Sequence, residues 1–292
     1  MRHPERSEGS KTALITGASA GIGLELAHVF ARHGHNLILV ARSAGKLRDL
    51  ADDLKSRYGI SARILVQDLS GPGSPAQVFE EIQNQKISVD ILVNNAGFGT
   101  YGFFAETNLE KELELIRLNI SALTHLTKLF LPGMLARKSG KIMNVASTAA
   151  FQPGPLMAVY YASKSYVLSF SEALAVELSG TGVSVTALCP GPTESEFQKT
   201  AGIHENLLLF KLTMMKARKV AEIGYAGLMR QKRIVIPGFL NRLLPFFVRL
   251  LPRGFVTAVV SLVQKSSKHS QSAETGTTSS RGRAGITGSR PS

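Results

Sequence analysis

The stretch ALITGASAGIG, residues 13–23, decides the fold. A short apolar run predicts a β-strand, and it leads through Gly17, Gly21 and Gly23 into an amphipathic stretch that predicts a helix. Glycines in such a turn let backbone N–H groups approach a pyrophosphate, and the helix N-terminus adds partial positive charge. A glycine-rich turn without a ligand is the plain alternative, and the position between strand and helix favours the phosphate site.

Outward from this turn, short β-branched apolar runs alternate with longer helix-like stretches. We predict strands at Ala13–Thr16, Asn36–Ala41, Ala62–Gln67, Ile91–Val93, Lys141–Ala146, Ser184–Leu188 and Arg233–Ile236. We predict helices at Ile22–His33, Lys46–Tyr58, Pro75–Gln85, Leu109–Arg137, Tyr160–Leu178 and Ala217–Arg230. Alternation of this kind predicts the α/β class, as a doubly wound, Rossmann-type parallel sheet of seven strands with helices on both faces, in a single domain.

The 292 residues fall into four parts that differ in composition and hydrophobic pattern. Residues 1–10 are polar and predict a disordered leader, and residues 11–237 hold the alternating pattern of the predicted Rossmann-type domain. Residues 238–263 are apolar, broken by Pro245 and Pro252 and dotted with arginines. Residues 264–292 are rich in Ser, Thr, Gly, Lys and Arg, which predicts a disordered basic tail.

Charge and composition limit the classes of partner. The formal net charge is +13, but the basic residues are spread out rather than clustered with aromatics, so no nucleic-acid partner is expected. The single cysteine, Cys189, lies in an apolar strand-like run and is interpreted as a buried structural thiol. Metal-binding motifs are absent from the sequence, so no metal site is predicted. The absence of a signal-peptide pattern and of a long apolar run predicts a cytoplasmic protein.

TGASAGIG resembles the T-G-x-x-x-G-x-G signature of the short-chain dehydrogenase/reductase family. The resemblance continues through Asp68, the run NNAG at Asn94–Gly97, and Asn119. Further matches are Ser147, the Tyr160–Lys164 pair and Pro190–Gly191, in the family's usual order. The resemblance implies an oxidoreductase that moves a hydride between a nicotinamide and a carbonyl or alcohol. It also implies a homodimer or homotetramer built on the long helices around Asn119 and Tyr160.

The end of the second predicted strand indicates which nicotinamide cofactor is bound. An acidic residue there would accept hydrogen bonds from the ribose of NAD, whereas LILVARS offers Arg42, whose guanidinium suits the 2′-phosphate of NADP. NADP is therefore predicted over NAD; a surface arginine is the alternative. With the positions that the resemblance implies around adenine, ribose and nicotinamide, the predicted cofactor-binding residues are Gly17, Ser19, Gly21, Ile22, Gly23, Arg42, Asp68, Leu69, Asn94, Gly97, Tyr160, Lys164, Pro190, Gly191 and Thr193. The run NNAG has a structural alternative, in which it packs the fourth strand against the first turn.

Tyr160 and Lys164 are four residues apart and so share one helix face. An ammonium beside a phenol favours the phenolate, so Lys164 is expected to lower the pKa of Tyr160 and to make it a general acid or base. Tyr161 competes for this role, but the residue four positions later is Ser165 rather than a lysine. Ser147 lies thirteen residues before Tyr160, which is the separation that the resemblance implies, and it is therefore preferred over Thr148. A hydroxyl there is predicted to hydrogen-bond the substrate oxygen.

Asn119 completes the predicted catalytic set of Asn119, Ser147, Tyr160 and Lys164. By resemblance, it holds a water that connects the lysine to solvent. The redox-sensing alternative binds NADP without turnover, but such a protein need not keep the acid–base pair. A basic scaffold at a membrane is the third interpretation. It is supported only by the net positive charge and by the apolar, arginine-containing composition of residues 238–263.

The resemblance implies that the segment after Pro190–Gly191 closes the substrate pocket. Apolar residues there and after Gly97 together predict a bulky apolar substrate, such as a steroid-like, fatty-acyl or aromatic ketone; core or dimer packing is the alternative for any one of them. The candidate pocket walls are Phe98, Tyr101, Phe103, Phe104, Phe197, Leu207, Leu208, Leu209, Phe210, Met214 and Met215. Residues 238–263 have three interpretations that the sequence leaves open: a peripheral membrane contact, a cover over the pocket, or a contact with a partner subunit.

Overall fold

The computed structural model describes residues 10–194, 214–262 and 264. The strands in this part of the chain are β1 (Thr12–Thr16), β2 (Asn36–Ala41), β3 (Ala62–Val66), β4 (Ile91–Asn94), β5 (Gly140–Val145), β6 (Val183–Leu188), β7 (Thr193–Glu194), β8 (Met215–Lys216) and β9 (Ile234–Val235). The α-helices are α1 (Gly21–Arg32), α2 (Ala44–Tyr58), α3 (Ser74–Asn84), α4 (Leu109–Ile116), α5 (Leu123–Ala136), α6 (Ala158–Glu177), α7 (Ala217–Met229) and α8 (Phe239–Leu250). Residues 253–262 are also helical.

Seven strands form one parallel sheet in the order β3-β2-β1-β4-β5-β6-β9. The predicted doubly wound, Rossmann-type fold is confirmed. The strand order reverses between β1 and β4, and the chain leaves these two strands in opposite directions along the sheet. In open sheets of this kind the crevice at the carboxyl ends of such strands is where ligands bind.

Side-chain alternation along β1 builds a core on each face of the sheet. Ala13 and Ile15 lie in a cluster with residues of α1, α2 and α7, whereas Leu14 lies in a second cluster with residues of α3 and α5. All three side chains are fully buried. Strands covered on both faces explain why the predicted strands are apolar at consecutive positions.

Two elements depart from the sequence prediction. The single long helix predicted over Leu109–Arg137 is interrupted by a π-helical segment at Arg117–Ala122. The short parallel pair β7–β8 was not predicted, because two-residue strands carry too little pattern to be seen in a sequence.

The C-terminal extension is helical rather than broken at both prolines. Pro245 lies inside α8, whereas Pro252 follows its end. Gln264, which the sequence prediction places in the tail, is also helical. Residues 1–9 of the predicted leader and residues 265–292 of the tail lie outside the described residues. Among the helices that the structure describes, none is both long and apolar enough to span a bilayer.

Gly23→Ala tests the packing of α1 on the turn after β1. A Cβ at Gly23 would overlap the carbonyl oxygen of Gly17, so the helix must shift and the free energy of unfolding should fall by about 1–3 kcal/mol. Urea denaturation measures the change. Gly45→Ala in α2 is the matched control, because no atom lies within 4 Å of the added Cβ there. It should leave stability unchanged or raise it by up to about 1 kcal/mol. Equal effects in the two variants would contradict the proposed close approach.

Candidate active site

The turn after β1 leaves backbone N–H groups without partners at the start of α1. Gly17 has a φ of +65°, which favours glycine, and its N–H donates to the carbonyl of Val40 at 2.8 Å. No side chain caps α1 at Ala20, and its first turn has no acidic residue. The predicted Ser19, Gly21, Ile22 and Gly23 all belong to this turn and first helical residues. The N-terminus of α1 can therefore bind an anion.

Asn95, which the sequence prediction did not single out, holds this turn in place. Its side-chain Nδ2 donates to the carbonyls of Thr16 (2.8 Å) and Gly17 (3.2 Å). The N–H groups of Asn95 and Ala96 donate in turn to the Thr16 hydroxyl, at 2.9 and 3.0 Å. These bonds match the structural interpretation of NNAG, and the doubled asparagine is the sequence signal that could have identified them.

The side chain of Asn94 lies in the core instead of the crevice. Its Nδ2 donates to the Thr127 hydroxyl at 3.0 Å and to Oδ1 of Asn144 at 2.9 Å, and the residue is 3% exposed. The position beside the adenosine that the resemblance implies is therefore not available to this side chain. Only the backbone of Asn94 is left for such a contact, which stays a prediction.

Arg42 lies between two carboxylates at the other end of the crevice. Its Nη1 is 3.7 Å from Oδ2 of Asp68 and 3.4 Å from Oε1 of Glu114, a residue that the sequence prediction did not include. Partial burial acts to raise the pKa of Asp68, but hydrogen bonds from Ser70 and the charge of Arg42 outweigh it and lower that pKa overall. The predicted adenine neighbour Leu69 is buried.

Tyr160 and Lys164 converge as the spacing predicts. Both side chains are buried on α6, and the lysine Nζ is 5.8 Å from the centre of the Tyr160 ring. Nζ also donates to the carbonyl of Val145, at the end of β5, at 2.9 Å. The buried amine and phenol are therefore held together at the carboxyl edge of the sheet.

Ser147 reaches the same point from the end of β5. Its side chain is hydrogen-bonded to the Tyr160 phenol. The Ser147 hydroxyl also accepts from the N–H of Ala149 at 3.1 Å and donates to the carbonyl of Pro190 at 3.4 Å. This geometry selects Ser147 over Thr148 as the partner of the tyrosine, and it joins β5 to the predicted Pro190–Gly191 turn after β6.

Asn119 lies in the π-helical segment, and its side-chain amide is fully engaged. Oδ1 accepts from the N–H of Phe98 at 3.2 Å, while Nδ2 donates to the carbonyl of Phe98 at 3.0 Å and to the Ser163 hydroxyl at 3.0 Å. A Cβ at Gly97 would lie 2.8 Å from Asn119 Oδ1 and 3.5 Å from Lys164 Nζ. Asn119 thus positions the chain after β4 next to the lysine, and the predicted water relay stays a prediction.

The expected lowering of the Tyr160 pKa is wrong for the ligand-free chain. Burial raises the pKa of Tyr160, and the hydrogen bond with Ser147 opposes this rise without overcoming it. Burial also lowers the pKa of Lys164 to about 8. The physical reason is that taking both groups out of water penalises both charged forms, and Nζ bonds to a carbonyl rather than to the phenol oxygen.

Tyr161 faces a different partner from Tyr160. Its hydroxyl accepts a hydrogen bond from Nε2 of Gln264 at 2.9 Å, and the hydroxyl of Tyr101 donates to the backbone carbonyl of Gln264 at 2.7 Å. Gln264 was missed because its sequence surroundings predict a tail. The C-terminal helical segment therefore closes over the tyrosines, which supports the pocket-cover interpretation of residues 238–263.

The predicted pocket wall is only partly assembled. Phe98 and Tyr101 pack in the cluster that contains Tyr160, but Phe103 and Phe104 are exposed. Phe197 and residues 207–210 lie outside the described part of the chain, as does Ser195. Residues that line this region but were not predicted are Leu115, Met157 and Val159.

The segment after β6 joins the C-terminal helix to the crevice. The hydroxyl of Thr193 donates to the carbonyl of Gly191 at 2.9 Å. The side chain of Asn241 on α8 lies so close to Gly191 that a Cβ there would be 2.5 Å from it. Within the described ranges, His, Cys, Asp and Glu side chains do not gather in threes that could hold a metal ion.

Comparison with known proteins agrees with this geometry. Residues 11–238 match the family model described as short chain dehydrogenase. A short chain dehydrogenase from Pseudocercospora fijiensis is 36% identical over 198 residues, which make up 66% of this chain and 64% of that protein, just under two thirds of its length. A very-long-chain 3-oxoacyl-CoA reductase from Anas platyrhynchos is 29% identical over 262 residues, covering 88% of this chain and 80% of that one.

A solved structure of a short-chain dehydrogenase resembles this chain over nearly its whole length. A short-chain dehydrogenase from Sphingobium yanoikuyae in complex with NADPH superposes with a TM-score of 0.74 at 31% identity. The superposition covers 94% of this chain and 98% of that one.

Lys164→Met tests the burial of the ammonium. The pKa of Lys164 falls from its ordinary value of 10.5 to about 8 in the folded chain. Between these two pH values the unfolded chain binds more protons, so native stability rises with pH. Below pH 8 the native chain carries the full burial penalty. The variant has no such penalty, so its free energy of unfolding does not gain from the rise in pH. Between about pH 7 and pH 10.5, the free energy of unfolding of the variant minus that of the native chain should therefore fall by on the order of 3 kcal/mol.

Urea denaturation at several pH values measures this difference for the ligand-free protein. Lys128→Met, at an exposed position on α5, is the control and should follow the native pH dependence. A Lys164→Met variant that also follows the native curve would show that the lysine is not buried as the structure has it.

Proposed function

The chain belongs to the short-chain dehydrogenase family, and from this premise we propose that it is an NADP-dependent oxidoreductase interconverting a carbonyl and an alcohol on a bulky apolar substrate. The observation that carries the proposal is the meeting of Ser147 with the buried side chains of Tyr160 and Lys164 at the carboxyl edge of the sheet. Three groups of these types, brought together from two elements, serve proton transfer next to a polarised oxygen.

The crevice fits a dinucleotide. Gly17 and Gly23 leave a backbone turn in which added Cβ atoms would clash with their surroundings, and the uncapped N-terminus of α1 offers N–H donors to a pyrophosphate. Pro190 and Gly191 would line the nicotinamide, and Lys164 would hydrogen-bond its ribose. When bound, NADPH supplies the hydride that the carbonyl carbon accepts.

Tyr160 completes the reduction by giving the phenol proton to the substrate oxygen, which Ser147 holds by a hydrogen bond. Burial raises the pKa of Tyr160, so the phenol is protonated near neutral pH and can act as the proton donor. Lys164, with a pKa of about 8, can return a proton to the phenolate near neutral pH. Asn119 keeps the chain at Gly97 and Phe98 in place beside the lysine.

The NADP preference rests on Arg42 at the end of β2. Its side chain is 65% exposed and lies next to the carboxylates of Asp68 and Glu114, so it is both accessible to a phosphate and already oriented. A 2′-phosphate would replace weak, exposed ion pairs with a charge-assisted contact to the guanidinium. The NADPH complex of the Sphingobium yanoikuyae protein supports this choice.

The substrate class follows from the aromatic and aliphatic surroundings of Tyr160. Phe98, Tyr101 and Met157 pack around it, and Gln264 adds a polar group at the rim. A steroid-like, fatty-acyl or aromatic ketone suits such a wall. The likeness to a very-long-chain 3-oxoacyl-CoA reductase makes the fatty-acyl ketone the first of these to test.

We also propose assembly into a homodimer or homotetramer through α5 and α6, in the cytoplasm. Leu135, Tyr166 and Val176 are exposed apolar side chains on these two helices. Their burial in a partner interface would stabilise the assembly.

Tyr160→Phe should reduce turnover by at least about 100-fold, because the proton donor is lost while the ring stays. Binding of NADPH, followed by fluorescence, should persist. Turnover is measured by nicotinamide absorbance with a 3-oxoacyl thioester, a steroid ketone and an aromatic ketone. Tyr161→Phe is the matched control and should keep its activity, because its hydroxyl bonds to Gln264. Loss in Tyr161→Phe with activity retained in Tyr160→Phe would transfer the role to Tyr161.

Arg42→Asp should shift the cofactor preference towards NAD. Removing the guanidinium and adding a carboxylate should weaken NADPH binding by at least about ten-fold relative to NADH. Titration of both reduced cofactors measures the ratio of their dissociation constants. Arg48→Asp, at an exposed position on α2, controls for the change in net charge. An unchanged ratio in Arg42→Asp would refute the phosphate contact.

A further inference from the structure

Each of the two C-terminal helices exposes a stripe of apolar side chains. On α8, Phe239, Leu243, Phe246 and Leu250 are spaced by four, three and four residues, so they share one face. Their side chains are between 36% and 75% exposed. Large apolar side chains exposed along one face of a helix indicate a surface that contacts a membrane or another molecule.

The next helix repeats this arrangement. Phe255, Val259 and Leu262, again spaced by four and three residues, are all more than 40% exposed, whereas Val256 between them is buried. Together with the stripe on α8 they form the surface named here the C-terminal apolar face: Phe239, Leu243, Phe246, Leu250, Phe255, Val259 and Leu262.

The opposite side of these helices anchors them to the rest of the protein. Asn241 is buried against Gly191 and donates to the carbonyl of Pro237 at 3.0 Å. Gln264 bonds to Tyr101 and Tyr161 beyond the last turn. The fold therefore uses the inner face of the segment, and the C-terminal apolar face is left over for another purpose.

Charge around this face is of one sign. Between Glu222 and Glu274 the sequence has no acidic residue and eight lysines and arginines. At 100° per residue, Arg242 and Arg249 lie on one flank of the α8 stripe, and both are exposed. Apolar side chains on the outward face with arginines at its edge are typical of a helix that lies in the headgroup region of a membrane.

We propose that the C-terminal apolar face docks on the surface of an anionic phospholipid bilayer. The phenylalanines and leucines enter the boundary between headgroups and acyl chains, and the arginines contact lipid phosphates. A second copy of this chain fits less well, because a two-fold interface would bring each basic segment against itself. The helices that carry this face also bond to Tyr161 and lie against Gly191, so docking brings the proposed active site close to lipid-dissolved molecules.

Vesicle co-sedimentation of the full chain tests the proposal. The protein should bind vesicles of phosphatidylcholine with about one third phosphatidylglycerol at least about ten-fold more tightly than phosphatidylcholine alone. Added salt should weaken this binding, since it screens the arginines. Equal partition to both vesicle types, or none to either, would overturn the proposal.

Paired variants assign the binding to this face. Phe246→Ser with Leu250→Ser should lower vesicle binding by at least about ten-fold, because two inserted side chains are lost. Leu109→Ser with Leu113→Ser removes two exposed apolar side chains on α4 and should bind as the native chain does. Arg249→Gln with Arg253→Gln should weaken binding to anionic vesicles, and Arg48→Gln with Arg57→Gln on α2 controls for lost charge.

Two further measurements keep the outcome decisive. All variants should retain the native melting temperature, since the changed side chains are exposed, and their turnover should remain unchanged. Sedimentation velocity without lipid should give one oligomeric state for the native chain and for Phe246→Ser with Leu250→Ser. If that double variant instead dissociates an oligomer and vesicle binding is absent, the face is a subunit interface and the proposal fails, whatever the result for Tyr160.

Discussion

The architecture depends on the hydrogen bonds that join the ends of β1 and β4. The Thr16 hydroxyl accepts two consecutive N–H groups after β4, and the Asn95 amide returns two bonds to the carbonyls of Thr16 and Gly17. The chain leaves β1 and β4 in opposite directions along the sheet. Without these bonds, the segments that follow the two strands would diverge from each other. These bonds hold the glycine turn, and with it the start of α1, against the end of β4.

Burial, more than mutual attraction, sets the electrostatics of the chemical centre. The phenol of Tyr160 and the amine of Lys164 are both removed from water. Burial raises the pKa of the phenol and lowers that of the amine, so it favours the neutral form of both groups. Spacing in the sequence correctly placed the two side chains together but could not show how deeply they lie. A cofactor or substrate that brings charge into this space would therefore change both protonation equilibria more than it would at an exposed site.

Much of the fold and part of the site could be read from the sequence, because they follow from short-range patterns. Strand alternation, the glycine turn and the four-residue spacing of Tyr160 and Lys164 all act within a few residues. Asn95, Glu114 and Gln264 escaped prediction because their roles come from contacts with residues distant along the chain. Gln264 in particular lies at the start of a polar, repetitive stretch whose composition alone indicates disorder, yet its side chain and carbonyl bond to the tyrosines.

The π-helical segment at Arg117–Ala122 has a consequence for how this chain tolerates insertion and deletion. A π turn holds one residue more than an α turn, so deleting one residue here would restore a regular helix with no loss of length elsewhere. The phase between α4 and α5 would change little, because the π turn takes up the extra residue within itself. Asn119 would lose the position from which it bonds to the backbone of Phe98. The surplus residue thus aims one side chain without turning the helices on either side of it.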